Sequence, residues 1–203
     1  MELIVITGAS GSGKSYLSNK LARSFKNSIV IRTDSYYRDD FLIKYYSKYS
    51  DDIYDRLFSI KHKELIQTLS SILKKEKTSK YYSYDFKKKL STNLKKNNKF
   101  IYKTKFLILE GIFSHRLDLD YSDSINIICK ETRDICYKRR LIRDIKERNR
   151  EKNEIIKRFD KSWNLYHQHL NNYIKNNKVT YFNQRDLNSY NKLIYNIKTK
   201  ENK

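Results

Sequence analysis

An eight-residue segment that begins at Gly8 restricts the fold of this chain more than any other feature. The segment, GASGSGKS at 8–15, fits the pattern G-x-x-x-x-G-K-[ST]. It directly follows the apolar run LIVIT at 3–7, which is typical of a strand buried on both faces of a parallel sheet. Apolar residues then recur near helical spacing from Lys14 to Phe25. The segment therefore predicts a phosphate-binding loop between a strand and a helix.

The residue types of this phosphate loop suit the tail of a nucleoside triphosphate. Glycine lets the backbone curl so that successive N–H groups face inward, and the positive end of the following helix favours anions there. We expect Lys14 to reach the β- and γ-phosphates and Ser15 to supply an oxygen for Mg²⁺. The predicted nucleotide-binding residues are Gly8, Ala9, Ser10, Gly11, Ser12, Gly13, Lys14 and Ser15.

Predicted strands and helices alternate along the chain. This alternation predicts an α/β fold in which helices flank a parallel sheet, and 203 residues fit one domain, 1–203. A Lys-, Asn- and Tyr-rich stretch at about 77–105 predicts an inserted β-hairpin, and the tail after Lys198 is expected to fray. The predicted strands are 3–7, 28–31, 106–109, 124–128 and 179–182, and the predicted helices are 14–25, 51–75, one from about Thr132 and 155–174.

Composition narrows the setting in which the chain works. It has 44 Lys and Arg against 23 Asp and Glu, a formal charge of +21 that would attract polyanions. The lysines are scattered, however, and AT-rich codon usage explains their number, so nucleic acid is not the expected partner. No apolar run approaches the ~18–20 residues of a membrane span, and only Cys129 and Cys136 are cysteines. We therefore expect a soluble, cytoplasmic protein that does not bind membranes.

Two carboxylates directly follow predicted strands. Asp34 comes after strand 28–31, and Glu110 comes after strand 106–109. The carboxyl ends of such strands face the same crevice as the phosphate loop. A carboxylate there can accept the proton of an attacking hydroxyl or hold metal-bound water, so we expect Asp34 near the γ-phosphate. Glu110 would orient Mg²⁺ or its water, and the alternative for Asp34 is a simple helix cap.

The predicted helix from about Thr132 is rich in arginine. Ile135, Ile142 and Ile145 lie roughly on one face in the helical pattern, which predicts that this face is buried. Guanidinium groups suit phosphate oxygens, although a solvated helix with pairs such as Asp144 to Arg148 is the alternative. The arginines on the other faces and at the end are Arg139, Arg140, Arg143, Arg148 and Arg150.

Four sequence blocks, and their order along the chain, resemble the uridine-cytidine kinase family, which belongs to the phosphoribulokinase/uridine kinase group of P-loop kinases. The resemblance spans about 3–182 and implies a P-loop kinase-like sheet with an inserted hairpin and an Arg-rich lid at about 139–158. The blocks are GASGSGKS at 8–15, DSYY at 34–37, LILEGI at 107–112 and RRLIRDIKERNR at 139–150, with a weaker YDF at 84–86.

The resemblance implies phosphoryl transfer from ATP, or alternatively GTP, to the 5′-hydroxyl of uridine or cytidine with Mg²⁺. Asp34 would be the base for that hydroxyl. Lys14, Arg143 and Arg148 would contact the phosphates, the two arginines when the lid closes. Homo-oligomers are common in the family, so the resemblance also implies assembly. The implied substrate-binding residues are Tyr37, Tyr84, Phe86, Arg140 and Arg150, and the implied metal ligands are Ser15, Asp34 and Glu110.

Departures from the family pattern leave one alternative acceptor, and the charge of +21 leaves one alternative function. Lys89 stands where the family has a base-reading His, and Arg158 aligns with a Gln, so a phosphorylated or carboxylated alcohol is an alternative acceptor. The family's acidic ribose-binding residue has no secure match, and Asp51 or Asp52 is the candidate.

The other alternative is a nucleotide switch that binds nucleic acid. In that reading, tyrosines among the hairpin lysines would stack on single-stranded bases. They are Tyr81, Tyr82, Tyr84 and Tyr102.

Overall fold

A computed structural model describes residues 1–50, 53–98, 101–117, 119–148 and 150–201. Five strands form one sheet in which every neighbouring pair is parallel, in the order β2-β5-β1-β6-β7. The two remaining strands form an antiparallel hairpin, as predicted for 77–105. The strands are β1 (Glu2–Thr7), β2 (Ser28–Arg32), β3 (Thr78–Asp85), β4 (Leu90–Asn97), β5 (Phe106–Glu110), β6 (Ile125–Cys129) and β7 (Val179–Phe182).

Helices cover both faces of the sheet because successive strand residues point to opposite sides. Ile4 and Ile6 of the central strand pack with α1 and α6 residues on one face. Val5 packs with α5 residues on the other, where α3 also covers the sheet. The helices are α1 (Lys14–Ser24), α2 (Phe41–Tyr46), α3 (His62–Leu73), α4 (Arg133–Arg148), α5 (Lys152–Asn176) and α6 (Leu187–Glu201). In the described part of the chain, no helix is long and apolar enough to cross a membrane.

The long helix predicted at 51–75 is wrong. Short 3₁₀ turns occupy Ile53–Asp55 and Leu57–Ser59, and only α3 is helical over several turns. The backbone N–H of Lys61 donates to the carbonyl of Tyr36 at 2.7 Å, and Ile60 forms an antiparallel bridge with Tyr37. These pairings with the segment after β2 take the backbone groups that a continuous helix would need. Asp51 and Asp52 lie outside the described residues.

The predicted apolar face of α4 is also wrong. Ile142 is 67% exposed and Ile145 is 48% exposed, whereas the buried residues of α4 are Cys136, Arg140 and Asp144. These three are spaced four residues apart and therefore share one face. The face of α4 that is buried carries the ion pair of Arg140 and Asp144, and a pattern of apolar residues does not reveal such a face.

Two helices were not predicted. The short helix α2 begins at Phe41, with Asp40 as an N-cap whose carboxylate accepts from the backbone N–H of Ile43 at 3.2 Å. At the other end of the chain, α6 buries Leu193 and Ile197 against the sheet and continues to Glu201, while the expected fraying after Lys198 stays a prediction.

Candidate active site

The phosphate loop joins β1 to α1, as predicted. Gly11 has φ +89° and Gly13 has φ +96°, a left-handed backbone that favours glycine. A Cβ at Gly11 would also collide with the main chain of Cys136. Three of the four glycines of the chain belong to the phosphate loop. The fourth, Gly111, directly follows β5, has φ +150° and lies beside the Thr33 side chain.

The two chemically distinctive residues of the loop are already engaged with their surroundings. The Lys14 ammonium is buried and donates to the carbonyl of Ala9 at 3.0 Å. Burial lowers the pKa of Lys14, while the charge of Glu110 opposes this shift. The Ser15 hydroxyl donates to the Glu110 carboxylate, 3.1 Å from Oε1 and 3.3 Å from Oε2. The loop and the end of β5 therefore meet at these side chains.

Both predicted carboxylates lie at the carboxyl edge of the sheet, in the same cleft as the loop. Glu110 ends β5 and is 2% exposed, with Arg32 Nε 3.8 Å from Oε1. Burial and then the charge of Asp34 raise the pKa of Glu110. Asp34 lies in the 3₁₀ turn Thr33–Tyr36 directly after β2 and lines the cleft beside Lys14. Asp34 and Glu110 lie near each other because β2 and β5 are neighbouring parallel strands.

Aromatic rings form one wall of the cleft. Tyr37 makes edge contacts with Tyr84, at 5.4 Å between ring centroids, and with Phe86, at 5.9 Å. The Tyr37 hydroxyl donates to the carbonyl of Tyr54 at 2.9 Å. Burial raises the pKa of Tyr37, so the hydroxyl stays protonated and can donate. The hairpin rings Tyr81, Tyr82 and Tyr84 pack onto the core beneath β3, so of the four tyrosines considered for base stacking only Tyr102 is well exposed.

A buried carboxylate gathers the arginines of the predicted lid. Asp144 is fully buried, and although burial would raise its pKa, the surrounding guanidinium groups lower it. The Asp144–Arg148 pair of the solvated-helix alternative is present at 3.5 Å, but its carboxylate is buried and shared with three other arginines. Asp144 oxygens lie 2.9 Å from Arg143 Nη2, 3.0 Å from Arg150 Nη1, 3.5 Å from Arg148 Nε and 3.6 Å from Arg140 Nε.

These arginines are directed to different parts of the cleft. Arg143 Nη2 donates to the Ser10 hydroxyl of the phosphate loop at 3.0 Å. Arg148 lies over the Phe86 ring at 3.9 Å, closer to the aromatic wall than its predicted phosphate role suggests, and burial lowers its pKa to about 10. The predicted site residues that line the common cleft are Ser10, Lys14, Ser15, Asp34, Tyr37, Tyr84, Phe86, Glu110, Arg140, Arg143, Arg148 and Arg150.

One acidic residue of the cleft was missed by the sequence reasoning. Asp55 lines the cleft, and its Oδ1 accepts from the Ser162 hydroxyl at 2.8 Å while Oδ2 lies 4.0 Å from Arg140 Nη2. It lies three residues after Asp52, one of the two residues predicted to be the ribose-binding acid. The sequence predicted an α-helix through Asp55, and an α-helix would place its side chain differently. In the structure, Asp55 lies in the 3₁₀ turn Ile53–Asp55 instead.

The oxygen donors of the cleft are compatible with Mg²⁺. The Ser15 hydroxyl and the carboxylates of Glu110 and Asp34 are hard ligands. Among the described residues, no group of three or more His, Cys, Asp or Glu could hold a metal ion by itself. This fits Mg²⁺, which commonly takes only one or two protein carboxylates together with water and phosphate oxygens.

The parallel sheet, the phosphate loop and the carboxylates at its edge define a P-loop kinase. Residues 3–188 match the model of the phosphoribulokinase/uridine kinase family, and the chain belongs to that family. A uridine kinase of Clostridium tetani (strain Massachusetts / E88) is 32% identical over 167 residues, which cover 77% of this chain and 74% of the relative. The chain is thus a phosphotransferase with an alcohol acceptor.

Solved structures agree with this fold. A possible uridine kinase from Bacillus stearothermophilus superposes with a TM-score of 0.60 at 16% identity, over 89% of this chain and 88% of that one. Deoxyadenosine kinase from M. mycoides with bound dATP superposes with a TM-score of 0.51 at 14% identity, over 98% of this chain and 100% of that one. The predicted α/β class, parallel sheet and kinase family are confirmed.

Proposed function

We propose that this kinase transfers the γ-phosphoryl group of ATP to the 5′-hydroxyl of a pyrimidine nucleoside, uridine or cytidine, with Mg²⁺. The observation that carries this proposal is the convergence of Lys14, Ser15, Glu110 and Asp34 at one end of a cleft whose side wall is aromatic. The 32% identical uridine kinase supports the choice of acceptor.

The donor end suits a triphosphate and a divalent ion. The left-handed glycines shape a loop without side chains at Gly11 and Gly13, and the buried Lys14 ammonium can exchange the Ala9 carbonyl for phosphate oxygens. Ser15, Asp34 and Glu110 would hold Mg²⁺ directly or through water. When bound, Mg²⁺ neutralises charge on the phosphate oxygens.

Asp34 is the proposed base. A carboxylate at the end of β2, beside the phosphate loop, can accept the proton of the attacking hydroxyl as the phosphoryl group leaves the donor. Glu110 is occupied by the Ser15 hydroxyl and buried, so the less buried Asp34 is the better placed of the two for this proton. Arg143, which already contacts Ser10, would stabilise the charge on the transferring group.

The acceptor end provides stacking and hydrogen bonding. Tyr37, Tyr84 and Phe86 offer apolar ring surface for a nucleobase. Asp55 keeps a carboxylate oxygen near Arg140 and can accept hydrogen bonds from sugar hydroxyls, so we assign it the role expected of Asp51 or Asp52.

The test is acceptor-dependent release of ADP with uridine, cytidine, adenosine or no acceptor, with ATP and GTP compared as donors. We expect turnover to require Mg²⁺ and to be fastest with a pyrimidine nucleoside. Lys14→Ala should lower kcat/KM by at least ~100-fold, because the ammonium that neutralises the transferring phosphate is lost. The matched control is Lys26→Ala, at an exposed lysine outside the cleft. Nucleotide hydrolysis that ignores every acceptor would refute the proposal.

A further inference from the structure

The cleft carries more positive charge than a nucleoside acceptor requires. Eight cationic and four anionic side chains line it. At the phosphate loop, Lys14 and Arg143 are accompanied by Asp34 and Glu110, and this group faces the proposed donor and metal. The rest of the cleft has six cations, namely Lys87, Lys89, Arg140, Arg148, Arg150 and Arg158, against Asp55, Glu154 and the buried Asp144 behind it. These six cations therefore outnumber the acidic side chains beside them.

Two of these cations, Lys87 and Lys89, belong to the hairpin turn. The Asp85 carboxylate accepts from the backbone N–H groups of Lys87 and Lys88, at 2.9 and 3.0 Å, and so stabilises the turn between β3 and β4. Lys87 and Lys89 line the cleft, whereas Lys88 does not. Within the described part of the chain, neither cleft lysine forms a close ion pair, although Lys87 interacts electrostatically with the exposed Asp85 carboxylate. The charge of Lys89 is available to a ligand, and that of Lys87 is shared with Asp85.

Two arginines that line the cleft have buried donors that form no hydrogen bond among the described residues. Arg158 Nη1 pairs with Glu154 at 3.1 Å, but its Nε is buried without a hydrogen-bond acceptor among the described residues. Arg140 is 4% exposed, and its Nε and Nη1 also form no hydrogen bond there, although Nε lies 3.6 Å from an Asp144 oxygen. Buried guanidinium donors normally have oxygen partners, which points to an oxygen-rich ligand at this end.

We infer that the acceptor bound by this cleft carries an anionic group, a phosphate or a carboxylate, in addition to its reacting hydroxyl. Lys87 and Lys89 from the hairpin turn and Arg158 from α5 bind that oxyanion. The inference rests on the proposed phosphoryl transfer and refines its acceptor: a nucleoside with an added oxyanion binds better than the neutral nucleoside.

Matched ligands that share a free 5′-hydroxyl test this directly. Uridine is neutral, uridine 3′-monophosphate adds a phosphate on the sugar, and orotidine adds a carboxylate on the base. Calorimetry in the presence of a non-hydrolysable ATP analogue measures binding without turnover. We expect at least one oxyanion ligand to bind about tenfold or more tightly than uridine, with a difference that shrinks at high salt. Which ligand gains affinity distinguishes phosphate from carboxylate recognition.

The variants locate the effect. Lys87→Gln combined with Lys89→Gln should reduce the ratio of oxyanion to uridine affinity by about tenfold, whereas Lys88→Gln, which removes one charge from the same turn but outside the cleft, should preserve the ratio. Equal or weaker binding of both oxyanion ligands relative to uridine would overturn the inference. A ratio that falls equally in the Lys88→Gln control would also overturn it, since the attraction would then be general.

Turnover separates this inference from the proposed function. One outcome is that uridine is phosphorylated, whereas both oxyanion ligands bind but are not phosphorylated. The anion site then does not serve the acceptor, so the inference is wrong while the kinase proposal stands. If no ligand with a free 5′-hydroxyl is phosphorylated, the proposed nucleoside acceptor is wrong, and so is the acceptor assigned here. Higher kcat/KM for an oxyanion ligand than for uridine is the expected result.

Discussion

Replacing Asp144 by asparagine removes the one negative charge that four arginines share. The carboxylate is fully buried, and Arg140, Arg143, Arg148 and Arg150 all lie within 3.6 Å of its oxygens. Asparagine preserves the size of the side chain but leaves the guanidinium groups facing one another, and only Arg140 keeps a second carboxylate nearby, Asp55 at 4.0 Å. The variant therefore tests whether this cluster holds α4 in place and positions the arginines of the cleft.

The expected loss of stability follows from the burial of the partners. Removing one member of a buried ion pair costs roughly 3–5 kcal/mol, because the remaining charge is left uncompensated. The side chains of Arg140, Arg148 and Arg150 are 5%, 15% and 17% exposed, whereas that of Arg143 is 32% exposed and can turn to water. We therefore expect the lower part of that range, about 3 kcal/mol of unfolding free energy for Asp144→Asn.

Urea unfolding followed by circular dichroism measures this loss, and Glu147→Gln is the matched control. Glu147 is an exposed acidic residue on the same helix, so its variant should change the unfolding free energy by less than about 0.5 kcal/mol. A loss below about 1 kcal/mol for Asp144→Asn would refute the reasoning. Nucleotide turnover should fall as well, because Arg143 is fixed by both Asp144 and Ser10.

The same residue predicts a pH dependence. The arginines hold the pKa of Asp144 below its ordinary value of 3.8, so the unfolded chain binds this proton more readily than the folded chain. Its contribution to stability is complete above that ordinary value and disappears as pH falls through the lower folded pKa. The difference in unfolding free energy between the wild type and Asp144→Asn should accordingly shrink below about pH 4.

Three further predictions concern the loop, a buried histidine and the face of α4. Gly11→Ala should lower the unfolding free energy by about 2 kcal/mol or more and weaken ATP binding, because of its positive φ and the nearby Cys136 main chain; unchanged calorimetric affinity would contradict this. Burial lowers the pKa of His115 to about 3, so its NMR shifts should be constant from pH 5 to 8, and a midpoint near 6.5 would disprove it. Ile142 is exposed and Ile155 is buried, so Ile142→Ser should change the unfolding free energy by less than about 0.5 kcal/mol, whereas Ile155→Ala should cost about 2–4 kcal/mol. Similar losses for both variants in urea unfolding would show that Ile142 is buried on an apolar face of α4.

The sheet was predictable because its three inner strands, β1, β5 and β6, are largely buried on both faces. Each of the five strands has an apolar core in the sequence, and the predicted bounds differ from the structure by one residue or so at each end. The phosphate loop needs particular residues at particular positions, so it is also visible in the sequence. Glu110 and Asp34 then follow from strand adjacency alone.

The errors arise where tertiary contacts override a local pattern. The apolar residues between Ile53 and Ile60 have helical spacing, yet main-chain pairing of Ile60 and Lys61 with the segment after β2 ends any helix there. On α4, the buried face is polar because Asp144 and its arginines satisfy one another, so the isoleucines face solvent. Neither the partner segment nor the ion cluster can be read from hydrophobic periodicity.

The most direct test of the central claim compares Asp34→Asn with Asp39→Asn in acceptor phosphorylation at saturating ATP and Mg²⁺. Asp39 is five residues away, pairs with Lys61 at 3.0 Å and does not line the cleft. If Asp34 accepts the proton of the acceptor hydroxyl, Asp34→Asn lowers kcat by about 10²–10⁴-fold while ATP binding persists, and Asp39→Asn retains most of the activity. Phosphorylation by Asp34→Asn at a rate close to that of the wild type would contradict the account.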